Sequence, residues 1–208
     1  MAHPNGRIAG VLFLVASAQF ILGLVVAEAS YSGYSVADNY ISDLGVGPSS
    51  MVFNSSAFLF GFLSIIGAYF LPRTVDFRGL TVLLILMAIG AMGGGIFTSA
   101  FTTIHGVMSL MAFGFGGLSA IASSKVSKLP LSAISVSLGV MTLGALALFA
   151  GGLVTTGSLT SNEPPASEFF LGIGPGGMER MVVYPALIWL TLFSGHLIAL
   201  SEKQENPK

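Results

Sequence analysis

Along this chain apolar and polar residues fall into long blocks rather than alternating. Six runs contain no Asp, Glu, Lys or Arg: residues 8–27, 51–71, 79–97, 104–123, 131–154 and 181–200. Each is close to the ~20 residues that a helix needs to cross a bilayer core. In hydrocarbon a backbone must satisfy its own hydrogen bonds, so each run is predicted to be a helix. The third and fourth runs are separated by very few residues, which predicts a tight antiparallel hairpin. Residues 155–178 carry Pro164, Pro165, Pro175 and several glycines, a composition that predicts a loop. The expected fold is all-α: a polytopic transmembrane bundle of six helices, forming one membrane domain over residues 1–208.

Composition identifies the solvent. Of 208 residues, 53% are hydrophobic and 8% charged, against about 25% charged in a soluble domain. A core of this size cannot hide so much apolar surface, so lipid must cover the rest. The net charge of -1 argues against a nucleic-acid surface. Cys is absent, which excludes disulfides, thiolate metal sites and cysteine nucleophiles. The 27 glycines suit helices that pack closely through small residues. The expected partners are membrane lipids, with a homo-oligomer allowed.

Charge sets the orientation. With six spans, Arg7, Arg73, Arg78, Lys125, Lys128, Lys203 and Lys208 fall on one side and Arg180 alone on the other. Basic loops stay cytoplasmic, so both termini are expected in the cytoplasm of a multi-pass cell-membrane protein. The outer side then collects Asp38, Asp43, Glu163, Glu168 and Glu179, with Glu28 near the end of the first span. The first run has a rival reading as a signal peptide, with Arg7 before it and Ala27-Glu28-Ala29 as a small-x-small cleavage site. Its length exceeds a usual signal core and favours an uncleaved anchor.

Candidate chemistry gathers at that outer side. The run Asn39-Tyr40-Ile41-Ser42-Asp43-Leu44-Gly45 is the densest group of reactive side chains. Asn54, Ser55 and Ser56 open the second span. Ser99, Thr102 and Thr103 lie in the hairpin turn, and His105 opens the fourth span. Ser109 lies on the same helix face as His105, four residues on. Glu179 and Arg180 open the sixth span. Ionisable groups at a span edge are costly unless they pair or face water. One shared pocket would satisfy Asn39, Ser42, Asp43, Asn54, His105, Glu179 and Arg180 together as a ligand site.

Each residue also has a plainer reading. His105 beside carboxylates is a candidate general base, or a metal ligand with Asp43 and Glu179. It could equally cap its helix and bond a loop carbonyl. No second histidine joins it: His196 is near the other membrane face and His3 is in the tail, which weakens the metal reading. Ser42-Asp43-Leu44-Gly45 is good turn chemistry. Arg180, the only outer basic residue, is the natural partner of Asp43 or of an anionic ligand. Asn54-Ser55-Ser56 is a glycosylation sequon, but inside a span no transferase reaches it. Gly93-Gly94-Gly95 and the glycines from Gly114 to Gly117 read as close-packing surfaces. Pro185 is expected to kink span six. Walker, GxSxG, HExxH and ion-filter motifs are absent, and the sequence names no cofactor.

The run from Asn39 to Gly45, with Asn54, the Gly95-Ile96-Phe97 to His105 hairpin, Phe113, Gly117 and Glu179-Arg180-Met181 through Tyr184-Pro185 to Trp189, resembles an uncharacterised prokaryotic membrane family, domain of unknown function nine-nine-eight. The hairpin departs from the family's Phe-Pro pattern, since Thr98 follows Phe97. The resemblance implies six spans and no agreed activity. A looser likeness links the first loop to eukaryotic six-span proteins implicated in lipid-anchor remodelling and autophagy, which implies lipids.

Three function classes follow. One is a protein that binds a lipid headgroup or small polar ligand in an outward pocket. The alternative is a membrane-embedded hydrolase acting on a lipid-linked substrate, with His105, Asp43 and Ser109 as catalytic candidates and Glu179 in support. A transporter is least favoured, because the span middles carry almost no ionisable groups.

Overall fold

The computed structural model describes residues 4–73, 75–155 and 167–205. His3, Glu163, Pro164, Pro165 and Lys208 lie outside them, as do the side chains of Arg73 and Glu168. Six helices follow in order: α1 (Pro4–Ala29), α2 (Ser50–Phe70), α3 (Arg78–Ile96), α4 (Thr102–Ser123), α5 (Leu131–Thr155) and α6 (Gly174–Glu205). All six are long and apolar enough to cross a membrane, and among the described residues there is no strand. Each helix packs on the next, and α6 returns to α1, so the bundle is a closed ring.

The predicted boundaries need one correction. Helix α6 starts at Gly174 rather than at 181, and a 3-10 turn (Ser167–Phe170) precedes it. Pro175 and Gly176 look like breakers in sequence. Pro175 sits in the first turn, where its missing N–H has no helical partner to lose and its fixed φ suits the helix. Gly174 takes a positive φ of 76°, which suits glycine at the entry. Glu179 and Arg180 therefore lie in the second turn of α6 instead of opening it. The helix runs unbroken through Pro185.

Packing is uneven around the ring. Phe13, Leu24, Trp189, Leu190, Phe193 and Leu197 are fully buried between α1 and α6 and their neighbours. The α4–α5 pair is held closely at Gly117 and Gly139: a Cβ on Gly139 would stand 2.6 Å from the Gly117 carbonyl oxygen. Small residues there let the two backbones touch. Gly90 does the same for α3 and α4, facing the backbone of Ala112. Toward the other end of α4 and α5 the close contact gives way to a cleft. That end also carries the α1–α2 connection, the α3–α4 turn and the start of α6; it is called the upper end below.

Candidate functional site at the upper end

The polar run of the first connection folds as a single 3-10 turn, Ile41–Gly45. Its free amides are taken by two carboxylates. Asp43 Oδ2 accepts the Tyr40 N–H at 2.9 Å, while Glu179 reaches across from α6 to accept the N–H groups of Ile41 and Ser42. Carboxylates at the positive end of a helical turn are electrostatically favoured. The Asn54 amide, from α2, donates to the Gly45 carbonyl at 2.9 Å and ties down the other end of the turn. Asn39 Oδ1 accepts the Ser35 N–H at 2.9 Å, and its amide approaches Asp43 Oδ2 at 3.5 Å. The run is thus a loop clamped from α2 and α6.

Arg180 is the second clamp. It is only 6% exposed. One guanidinium nitrogen donates to the carbonyls of Val36 and Gly176, at 2.8 and 2.9 Å. The other donates to Glu28 Oε1 at 2.5 Å and to the Tyr34 hydroxyl at 2.9 Å. Its salt-bridge partner is therefore Glu28 on α1, not Asp43 as the sequence suggested. Depth had matched Arg180 with every acid at this end; the direction in which α6 faces chose Glu28. Tyr34 passes the chain on, donating to the Tyr40 carbonyl at 2.9 Å. Burial raises the Tyr34 pKa, so the phenol keeps its proton and its donor role. Burial, then the negative charges of Glu179 and Asp43, push Tyr40 up to about 12.

Beside these clamps lies a cleft of about 640 Å³ between the upper halves of α4 and α5, floored by α6. Its walls are apolar, with Leu110 and Phe113 from α4 and Leu146, Phe149 and Leu153 from α5. Its polar end holds Ser42, Asp43, His105, Ser109 and Glu179, with Ser99 and Thr102 beside them. A smaller chamber of about 80 Å³ continues inward among Phe20, Phe60, Met87 and Leu187, and shares Ser42, His105, Ser109, Phe113 and Glu179 with the cleft. Asn39, Asn54 and Arg180 line neither cavity.

His105 is fixed on both ring nitrogens. Nδ1 lies 2.8 Å from the Phe97 carbonyl oxygen, and Nε2 lies 3.4 Å from Ser109 Oγ. A carbonyl can only accept, so Nδ1 carries a hydrogen, and in the neutral ring Nε2 is then the acceptor that faces the serine hydroxyl. The predicted loop-carbonyl bond and the predicted alignment with Ser109 coexist. Among the described residues no group of three His, Cys, Asp or Glu side chains is placed to hold a metal ion. Sequence reasoning did not find the α5 wall, because a leucine facing a cleft and one facing lipid read alike.

Residues 14–196 match the family described as Protein of unknown function (DUF998). The chain belongs to that family. The matched span contains both clamps and every residue named in the cleft. This DUF998 protein is an integral membrane protein with six helices, among the described residues, long and apolar enough to cross a membrane. No curated protein and no solved structure matches it.

Proposed function

We propose that this DUF998 protein binds an amphiphile, its polar head at Ser42, Asp43, His105 and Ser109 and its chain between α4 and α5. The cleft carries this reading. Its volume, about 640 Å³, lies within the range of ligand sites, which pair apolar walls with a few converging polar groups. Lys and Arg are missing from its lining among the described residues, whereas Asp43 and Glu179 are present. That favours a hydroxylated or cationic head over a bare phosphate. The upper end faces the outside of the cell membrane in this reading. Arg7, Arg78, Lys125, Lys128 and Lys203 at the opposite end support it, because basic ends stay cytoplasmic.

Lipid extracts compared by mass spectrometry test the proposal. Wild-type protein should retain an amphiphile that His105→Ala and Gly106→Trp both lose. A Cβ on Gly106 meets nothing within 4 Å and Gly106 lines the cleft, so a tryptophan there meets no clash at Cβ and is placed to crowd the cleft. Identical extracts from all three proteins would overturn the reading.

A further inference from the structure

Serine hydroxyls in transmembrane helices usually bond back to the carbonyl four residues earlier, having no water to turn to. Several hydroxyls of this bundle do so. Ser17 donates to the Phe13 carbonyl, Ser55 to Met51 and Ser201 to Leu197, and Thr191 does the same to Leu187. Ser123, Ser124 and Ser194 donate to the carbonyl three residues earlier, and Ser64, Ser119 and Ser135 are buried without a partner among the described residues. Ser109 differs from all of these in having a side chain as the acceptor that faces its hydroxyl. Its bond among the described residues goes to the imidazole of His105, the residue four earlier, rather than to that residue's carbonyl.

The histidine is turned toward it by design of the hairpin. The Phe97 carbonyl that holds Nδ1 sits just after α3, where the Phe97 N–H bonds to the Gly93 carbonyl at 2.7 Å. The His105 N–H bonds to the Phe101 carbonyl at 2.9 Å, which fixes the first turn of α4. A hydroxyl, a base with a free lone pair and a third group fixing the tautomer are the three parts of an activated serine. Here the third part is an uncharged backbone carbonyl. The separation is 3.4 Å, and catalytic hydrogen bonds tighten in the complex with substrate.

We infer that Ser109 is a nucleophile, with His105 as its base, for acyl transfer from an ester-linked amphiphile lying in the cleft. The inference rests on the cleft reading above. Ser109 Oγ attacks the ester carbonyl carbon as its proton passes to His105 Nε2. The tetrahedral adduct collapses, the bond to the alcohol oxygen breaks, and Nε2 returns the proton to that oxygen. An acyl ester remains on Ser109. Water attacks it next, giving a proton to Nε2; the carboxylic acid leaves and Ser109 recovers its hydrogen. The Ser42 hydroxyl shares the polar end and is a donor for the negative charge on the carbonyl oxygen; the Ser99 and Thr102 hydroxyls donate to the Ser42 and Ser99 carbonyls instead.

An alkyl fluorophosphonate, which phosphonylates activated serines, is the probe. The full chain in detergent is incubated with it, digested, and the modified peptide located by mass spectrometry. Modification of the wild type at Ser109 is expected. Labelling should vanish in Ser109→Ala, fall about 100-fold or more in His105→Gln once the base is lost, and be blocked in Gly106→Trp. The site of modification in the wild type decides the question even if a variant fails to fold. An unlabelled wild type, or label on another serine, overturns the nucleophile. If that same unlabelled protein still retains an amphiphile that Gly106→Trp loses, the cleft reading survives alone. If it retains none, both readings fall.

Discussion

Two groups of ionisable side chains stand at the upper end, and they are used in opposite ways. Around Arg180 the partners close on both terminal guanidinium nitrogens: Glu28, the Tyr34 hydroxyl and the Val36 and Gly176 carbonyls take them, and Nε alone is buried without a partner among the described residues. Around His105 the partners stop at the cleft. The Nδ1 side is held by a backbone oxygen and Nε2 meets only Ser109 Oγ, and both residues line the cavity. Asp43 is similar, since its hydrogen bonds among the described residues all run through Oδ2. A closed set of partners makes a clamp; an open set can act on a ligand. Composition alone did not separate these two groups, because both contain acids, a base and hydroxyls.

The comparison predicts a large stability effect at the clamp. Arg180→Met leaves Glu28 without its partner in a largely buried place, the side chain of Glu28 being 21% exposed. Breaking a buried pair from one side should cost about 3 kcal/mol, read as lost thermal stability in detergent. Arg180→Met with Glu28→Gln should cost less than the two single changes together, because no lone charge remains. Additive losses would show that Arg180 and Glu28 do not act as one clamp. Glu179→Gln is the next largest. It removes the charge from the bonds to the Ile41 and Ser42 amides, at about 1.5 kcal/mol. Faster hydrogen exchange confined to residues 36–45 should accompany it.

A smaller effect appears at alkaline pH. Tyr40 has an ordinary pKa of 10.0 and is pushed up to about 12 in the folded protein. Its folded pKa is raised, so the stabilisation is complete below pH 10 and is lost as pH climbs from 10 to about 12. Tyr40→Phe should flatten that part of the stability profile, since the ring keeps its edge-on contact with Phe149 at 5.7 Å. An unchanged slope would mean that Tyr40 ionises as it does in the unfolded chain.

The difference between clamp and cleft also marks how far the sequence could be read. Span length is a one-dimensional property, so the six helices were legible. The early start of α6 was not, because Pro175 and Gly176 have opposite meanings inside a helix and in its first turn. Depth along the helices grouped Ser42, Asp43, His105 and Glu179, with Ser109 one turn deeper, and all five line the cleft; it grouped Asn39, Asn54 and Arg180 with them, and these line neither cavity. Angular position about each helix axis was not legible. It decides that Arg180 meets Glu28 rather than Asp43, and that Leu146 and Phe149 form a wall. The pairing of His105 with Ser109 escaped this limit, since a spacing of four residues fixes depth and angle together.

Ser109→Ala carries the smallest stability effect and draws the line between the groups most sharply. The bond it removes is long, at 3.4 Å, and Ser109 lines a cavity, so no packed neighbour loses its contact. Its cost should stay within about 0.5 kcal/mol, as for substitutions away from packed or networked positions. Ser123 gives the contrast. It is buried, donates to the Ala120 carbonyl at 2.7 Å and accepts the Trp189 indole N–H at 2.9 Å. Ser123→Ala leaves that indole N–H buried without a partner, which should cost about 1–3 kcal/mol. Thermal melts of the two alanine variants in the same detergent measure the difference. Equal losses would make Ser109 another structural serine and remove its distinction from the rest of the bundle. A stable Ser109→Ala protein that no longer takes up the fluorophosphonate would tie the open hydrogen bond to reactivity.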